Sequence, residues 1–181
     1  MPVERHLRVK LRRVAHEDRN EFVSLAHIST SVHRLWITTP TTPDAFDRYL
    51  RRFDGVTSIG HVVRLTRADT LVGFVNLNGI GEHGAMIGFG TFAPAMGKGY
   101  MREGLELALR FAFTDLRLPR VEADVQPSNI ASARLLKAAG FTLRAGVSTQ
   151  IHVGGAWRLH ERWSISREAF FDADAQSRTE S

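Results

Sequence analysis

Apolar and charged residues alternate near the start of the chain, where every second position from Leu7 to Leu11 is apolar. This two-residue period is typical of a β-strand with one buried face. A different period follows in 98–114, where Met101 and Leu105 begin an apolar helical face. The pattern therefore predicts a domain that contains both strands and amphipathic helices.

The same two periods, interrupted by glycine and proline, predict the element order βααβββαβαββ. The predicted strands span 6–14, 59–66, 71–78, 85–92, 120–125, 142–153 and 156–166. The predicted helices span 17–29, 44–53, 98–114 and a last segment that 127–129 opens and Gly140 closes. This order indicates one mixed α/β (α+β) domain over residues 5–166, with a largely antiparallel central sheet flanked by helices. Residues 167–181 are predicted to form a polar tail, frayed beyond Phe171.

Composition excludes several classes of site and partner. The chain has no cysteine, which rules out disulfides, thiolate zinc sites and a covalent thiol intermediate, and we predict no metal site. Its net charge of +5 comes from dispersed basic residues rather than a basic run, so we expect no nucleic-acid partner. No apolar run approaches the ~20 residues that cross a bilayer, and the start lacks a signal-peptide pattern. We therefore expect a cytoplasmic protein without a membrane partner.

A glycine turn at Gly97 and Gly99 joins the strand predicted at 85–92 to the helix that follows. Backbone N–H groups at the start of a helix lack partners within it and lie at the positive end of its dipole, which favours a phosphate group. Two common phosphate-binding patterns do not fit. Lys98 is followed by glycine instead of the Ser or Thr of a P-loop, and Arg102 stands where a dinucleotide-binding turn has its third glycine. The third pattern that we consider is a coenzyme A diphosphate loop.

A second motif supports the coenzyme A pattern. The segment 129–141, with the sequence NIASARLLKAAGF, begins 30 residues after Gly99. Together with Gly97-Lys98-Gly99-Tyr100 it resembles the GCN5-related N-acetyltransferase (GNAT) superfamily. The closer resemblance is to the RimJ/RimL-like branch, which acetylates the N-termini of ribosomal proteins. Further matches to that branch are Leu7-Arg8-x-Lys10-Leu11-Arg12, Val72-Gly73-Phe74-Val75-Asn76-Leu77 and Trp157-Arg158.

The resemblance implies acetyl-CoA as the cofactor. In such proteins the strand before the loop contacts the pantetheine arm, and the loop amides hold the diphosphate. Asn129 is implied to cap its helix or to bind a pantetheine amide, and Ser132 to contact the cofactor or to protonate the departing thiolate. The implied pantetheine contacts are the backbone groups of Thr91, Phe92 and Ala93. The implied diphosphate ligands are the amides of Met96, Gly97, Lys98, Gly99, Tyr100 and Met101.

Three residues depart from the family pattern. Pro94 stands where the superfamily has an arginine or glutamine, Leu136 where many members have a tyrosine as general acid, and Met86 where a glutamate is common. We select His152 as the base that takes the proton from the amine, with an ordered water as the alternative. Of His160 and Glu161, which alternate on the last predicted strand, one faces inward. The full set of candidate bases is Glu82, His83, His152, His160 and Glu161.

The acceptor pocket is expected between the first two helices and the last hairpin, where Trp36 either lines it or anchors its loop in the core. The predicted activity is acetyl transfer from acetyl-CoA to a primary amine, above all the α-amine of a protein or peptide. A small amine such as an amino acid, a polyamine or a drug is the alternative acceptor. A coenzyme A-binding module without catalysis is the alternative from a different class. The sequence leaves the oligomeric state open, with a homodimer as one option.

Overall fold

The computed structural model describes residues 7–179, so the predicted domain start at residue 5 lies outside the described residues. The predicted strands and helices are all present, with ends that differ by a few residues. The strands are β1 (Val9–Arg13), β2 (Ser58–Leu65), β3 (Leu71–Gly81), β4 (Gly84–Thr91), β5 (Arg120–Val125), β6 (Thr142–Val153) and β7 (Ala156–Ser166). The helices are α1 (Arg19–Ile28), α2 (Thr30–His33), α3 (Pro43–Leu50), α4 (Tyr100–Thr114), α5 (Ile130–Ala138) and α6 (Arg167–Thr179). Single turns of 3₁₀ helix lie at His16–Asp18 and Ala93–Ala95.

The seven strands form one sheet in the order β1-β2-β3-β4-β5-β7-β6. Neighbouring strands are antiparallel except for β4 and β5, which run parallel. The pairing of β4 with β5 is limited to Ala85 with Val121 and Met86 with Glu122, and the two strands diverge beyond these residues. The structure therefore confirms the predicted single α/β domain with a mostly antiparallel sheet. Beyond their two paired positions, a gap separates the central strands β4 and β5.

Two apolar cores cover the two faces of the sheet. On one face α4 packs against β1, β3 and β5, and Gly104 permits the close approach, since a Cβ there would lie 2.8 Å from a methyl carbon of Val63. On the other face α1 and α3 contribute an aromatic cluster around Phe22, whose ring centroid lies 5.0 Å from that of Phe92. Phe92 directly follows β4, so this cluster fixes the strand end from which the glycine turn departs.

The segment after β7 differs from the prediction, because it forms α6 and not a frayed tail. Phe170 in the first turn of α6 is 7% exposed, and its ring centroid lies 5.3 Å from that of Phe113 on α4. This contact was not predicted from the sequence, because the residues beyond Phe171 are mostly polar and few apolar residues anchor the helix. The domain boundaries themselves stay predictions.

Candidate functional site

The gap between β4 and β5 leaves backbone groups of β4 without a neighbouring strand. Phe92 donates its N–H to Val72 on β3 at 2.9 Å, so by the alternation of an antiparallel pair Gly90 also directs its backbone groups to β3. Phe89 therefore directs its N–H and C=O groups toward the gap, and so does the C=O of Ile87, whose N–H faces the carbonyl of Glu122 at the last paired position of β5. A free strand edge of this kind binds an extended chain by accepting it as an added strand.

A cavity of about 70 Å³ lies at this gap. It is enclosed by the connection between α2 and α3, the two diverging strands, the start of α5, and β7. Of the site residues predicted from the sequence, Trp36, Asn129 and Ser132 are brought together here. The full lining consists of Trp36, Ile37, Ile87, Gly88, Phe89, Ala123, Asp124, Val125, Gln126, Asn129, Ser132 and His160.

The loop that leads into α4, which we call the glycine loop (residues 96–99), has a left-handed backbone at two positions. The φ angle is 72° at Gly97 and 76° at Gly99. A Cβ built on Gly97 meets no heavy atom within 4 Å, so the backbone conformation, and not crowding inside the protein, requires glycine there. Gly99 directly precedes α4, which therefore begins at Tyr100 and not at Lys98 as the sequence pattern predicts.

A run of unpaired amides begins in the glycine loop. Among the described residues, no hydrogen-bond acceptor is found for the amides of 97–101. The last two lie in the first turn of α4, where a helix leaves its N–H groups without partners. The amide of Met96 differs, because it donates to the carbonyl of Ala93 at 3.2 Å. Of the predicted diphosphate ligands, 97–101 therefore have free amides, and the amide of Met96 is already paired.

Several backbone groups of the predicted pantetheine contacts Thr91, Phe92 and Ala93 are paired within the protein. The amide of Phe92 bonds to β3, and the amide of Ala93 donates to Ser29 Oγ at 2.9 Å. The carbonyl of Thr91 lies 2.7 Å from Nε2 of His33, and burial lowers the pKa of His33, so the neutral ring donates from Nε2. The open edge lies mostly earlier in β4, and the N–H of Thr91 faces the same side by the alternation along the strand. Sequence reasoning missed it because strand pairing decides which alternate residues face the gap.

Asn129 and Ser132 meet at the N-terminus of α5. The side-chain oxygen of Asn129 accepts from the amide of Ser132 at 3.1 Å, which confirms the predicted helix cap. Both residues also line the cavity, where Ser132 is half-buried. Leu136, one turn further along α5, is fully buried in the core. The position at which many relatives are expected to carry a tyrosine therefore holds no group that moves a proton.

The two histidines of the last hairpin lie on opposite faces of the sheet. His152 pairs with Trp157 across the hairpin, and its exposed ring lies 5.5 Å from the indole ring. His160 pairs with Thr149, is 4% exposed and lines the cavity. Because side chains alternate along a strand, Trp157 and His160 face opposite sides, and His152 shares the side of Trp157. The predicted base His152 therefore lies away from the cavity, and the histidine brought into it is His160.

His160 is oriented by its own strand. Its Nδ1 lies 2.9 Å from the carbonyl oxygen of Arg158, and because a carbonyl only accepts, Nδ1 carries the proton. In the neutral ring Nε2 is then unprotonated and able to take up a proton. Glu161, the next residue along β7, faces the other side of the sheet, as the alternation predicts.

The other candidate titratable groups either pair with another residue or do not line the cavity. Asp124 is the one carboxylate among the described residues that line the cavity, and Arg162 binds both of its oxygens, with Nη2 donating to Oδ2 at 3.0 Å. Glu82 and His83 lie in the turn between β3 and β4, are almost fully exposed and do not line the cavity. Of the five candidate bases, His160 is therefore the one that the fold brings to the gap.

Trp36 lies on the segment between α2 and α3, which forms one wall of the cavity. Its amide donates to the carbonyl of His33 at 2.8 Å. Gln126, which follows β5, donates from Nε2 to the carbonyl of Leu35 at 2.6 Å and ties this segment to the sheet. The turn between β6 and β7 packs on the same segment through Gly154. The helices at the start of the chain and the last hairpin thus meet beside the cavity.

Within residues 7–179, no group of three or more His, Cys, Asp and Glu side chains is arranged to hold a metal ion. None of the helices in the same range combines the length and the apolar composition that a membrane crossing requires.

Comparison with known proteins finds one family and several relatives. Residues 8–142 match the acetyltransferase (GNAT) domain family. The Probable N-acetyltransferase YjcK of Bacillus subtilis (strain 168) is 35% identical over 100 residues, which make up 54% of this chain and 55% of that protein. The match thus spans about half the length of this curated relative.

Two solved structures share the fold. Mycobacterium smegmatis RimJ in complex with CoA-disulfide gives a TM-score of 0.82 at 21% identity, covering 94% of this chain and 90% of that chain. Spermidine N-acetyltransferase from Vibrio cholerae in complex with CoA and spermine gives a TM-score of 0.77 at 20% identity, covering 91% of this chain and 98% of that chain. The family match extends from the residue before β1 to the start of β6, which is well over half of the sequence. The chain therefore belongs to the GNAT acetyltransferase domain family.

Proposed function

We propose that this protein transfers the acetyl group of acetyl-CoA to a primary amine, with the α-amine of a protein or peptide as the preferred acceptor. The observation that carries the proposal is the run of free amides at 97–101, at the N-terminus of α4 and on the chain that leaves β4 at the gap. Membership of the GNAT family supports acetyl transfer as the reaction and coenzyme A as the carrier of the acetyl group.

The residues present fit coenzyme A. A diphosphate accepts hydrogen bonds, and the amides of 97–101 offer donors at the positive end of the α4 dipole. The pantetheine arm is an extended chain with amide groups, which matches the open strand edge formed by Phe89 and the carbonyl of Ile87. When bound, acetyl-CoA would supply an acetyl group activated as a thioester.

Two side chains of the cavity move protons in this proposal. An ammonium ion must lose a proton before its nitrogen attacks a carbonyl carbon, and His160 Nε2 takes that proton. We prefer His160 to His152 because His160 lines the cavity and His152 faces the other side of the sheet. The hydroxyl of Ser132, on the α5 side of the same cavity, would donate a proton to the leaving sulfur and take up the second proton that the nitrogen loses as the amide forms.

The charges of the cavity favour an acceptor with one positive charge at its reacting end. Both RimJ and a spermidine N-acetyltransferase share this fold, so the fold alone does not choose between a protein and a polyamine. A polyamine brings several ammonium groups, which carboxylates would have to balance. Asp124 is the one carboxylate among the described lining residues, and it already pairs with Arg162. A peptide α-amine makes no such demand.

A thiol-release assay with acetyl-CoA tests the proposal. The acceptor panel contains short peptides with different first residues, free amino acids and spermidine, each at neutral and mildly basic pH. We expect thiol release with at least one peptide and far less with spermidine. Efficient turnover of spermidine would overturn the acceptor assignment. Binding of acetyl-CoA without thiol release from any acceptor would favour a non-catalytic coenzyme A-binding module.

A further inference from the structure

Arg8 connects the start of β1 to the glycine loop. Its backbone N–H and its Nε donate to the two carboxylate oxygens of Glu103, at 2.8 and 2.6 Å. Its Nη1 donates to the carbonyl of Lys98 at 3.3 Å, and its guanidinium lies over the ring of Tyr100, 4.9 Å from the centroid. One side chain therefore contacts the loop at its centre, the first residue of α4 and the first turn of that helix.

These contacts have two physical consequences for an anion at the free amides. The glycine loop contains two left-handed glycines, which populate many backbone conformations unless other groups hold them. Contacts that fix the loop in advance reduce the entropy that binding must remove. Glu103 in addition places a carboxylate in the first turn of α4, where it repels a second anion. The guanidinium of Arg8 cancels that charge by direct pairing.

We propose that Arg8 is a positioning residue for the coenzyme A diphosphate, because it holds the glycine loop in place and neutralises Glu103. The inference rests on the proposed function. It assigns a role to Arg8 within the motif Leu7-Arg8-x-Lys10-Leu11-Arg12. This motif takes no part in the cavity or in the proposed proton transfers. Arg8 acts through the loop and Glu103, and it takes no part in the chemistry at His160.

Calorimetric titration of Arg8→Gln with coenzyme A tests the inference. We expect the Kd to rise about tenfold, with the same factor for 3′-dephospho-coenzyme A, since both ligands carry the diphosphate. The KM for acetyl-CoA rises in parallel, while kcat at saturating substrates stays within about twofold of the parent protein. The matched control is Lys10→Gln, which removes the same charge from β1 at an exposed ion pair with Asp69 and leaves the Kd unchanged.

A double variant separates the two parts of the role. In Arg8→Gln/Glu103→Gln the unpaired carboxylate is gone, so part of the lost affinity returns. The absence of any recovery would overturn the neutralisation of Glu103. Should Arg8→Gln fail to fold, Arg8→Lys replaces it. An ammonium lacks the planar fork of donors with which Arg8 binds both Glu103 and the carbonyl of Lys98, so we again expect weaker binding.

Three results count against the inference or against its basis, and they are distinguishable. An unchanged Kd in folded Arg8→Gln overturns the inference and leaves the proposed function intact. Weaker binding of coenzyme A alone, with unchanged binding of the 3′-dephospho form, means that Arg8 contacts the ribose phosphate directly, which overturns a positioning role. A parent protein that does not bind coenzyme A overturns the proposed function itself.

Discussion

Gly154 lies directly against the backbone of Arg34. A Cβ built on Gly154 would stand 2.5 Å from the carbonyl oxygen of Arg34, far inside van der Waals contact with an atom that does not rotate away. The turn between β6 and β7 therefore packs against the segment that contains Trp36. This contact sets the distance between the last hairpin and the wall of the cavity that contains Trp36.

Replacement of Gly154 by alanine is expected to disturb the acceptor side of the site. Gly154→Ala introduces both backbone strain at a φ of 60° and the clash with Arg34, so the KM for the acceptor rises while the Kd for coenzyme A is unchanged. Gly155→Ala is the matched control, because its φ is 78° and its Cβ meets nothing within 4 Å. Strain alone costs about 1–2 kcal/mol in either variant. Equal acceptor KM values for the two variants would contradict the contact as a determinant of the site.

The free amides of the glycine loop predict a specific loss of binding in Gly97→Val. A β-branched residue does not adopt the φ of 72° without strain, so the loop amides turn away from a shared anion and the Kd for coenzyme A rises more than tenfold. The measurement is isothermal calorimetry, alongside thermal unfolding. Gly79→Val on β3 is the control, since its φ is 62° and a Cβ there is also unobstructed. A similar affinity for coenzyme A in both variants would remove the glycine loop from the site.

The opposite orientation of the two hairpin histidines predicts opposite kinetic effects. His160→Gln is expected to lower kcat about 100-fold, the size of a lost general base, with little change in the Kd for coenzyme A. His152→Gln is expected to retain kcat, because its ring lies on the exposed face beside Trp157. Steady-state rates of thiol release at saturating acetyl-CoA give both values. A loss of rate in His152→Gln with an active His160→Gln would restore the base that the sequence pattern favours.

Burial of His61 predicts that the fold loses stability in mild acid. Burial and the nearby charge of Arg13 lower the pKa of His61 to about 4, against about 6.5 in the unfolded chain. Between these values the unfolded chain binds a proton that the folded protein does not. The free energy of unfolding is therefore highest above the unfolded pKa and falls as the pH drops toward 4, by about 2 kcal/mol at pH 5.

Urea unfolding at pH 7 and pH 5 measures this effect. In His61→Gln the difference between the two pH values shrinks, although the variant is less stable at both, since the packing of the ring on Phe111 is lost. The exposed His27 provides the control, and His27→Gln keeps the full difference. The buried His33, whose pKa is also lowered by burial, accounts for what remains in His61→Gln. An unchanged difference in His61→Gln would contradict the assignment.

The order of the strands and helices was predictable because apolar residues recur at a regular spacing within each of them. The face of α4 that Met101 and Leu105 begin is buried as the helical spacing indicates. The helix cap at Asn129 was also predictable, since capping depends on residues a few positions apart. Phe170 is the exception, because its contact with Phe113 joins segments that are distant in the sequence.

The details of the site were less predictable, because they depend on pairing between strands. Whether His152 or His160 reaches the cavity is decided by the register that the Gly154 turn imposes on the hairpin. The same holds for the backbone groups of Phe89 and the carbonyl of Ile87, which are free because Phe92 pairs with β3 and because β5 diverges. Local patterns carry no information on either point.

The early divergence of β4 and β5 leaves a sheet that only a bound molecule completes. A ligand seated along the open edge binds the native chain and has no comparable site on the unfolded one, so it shifts the folding equilibrium by mass action. We therefore expect the folded protein to resist proteolysis longer as the concentration of the proposed acyl donor rises.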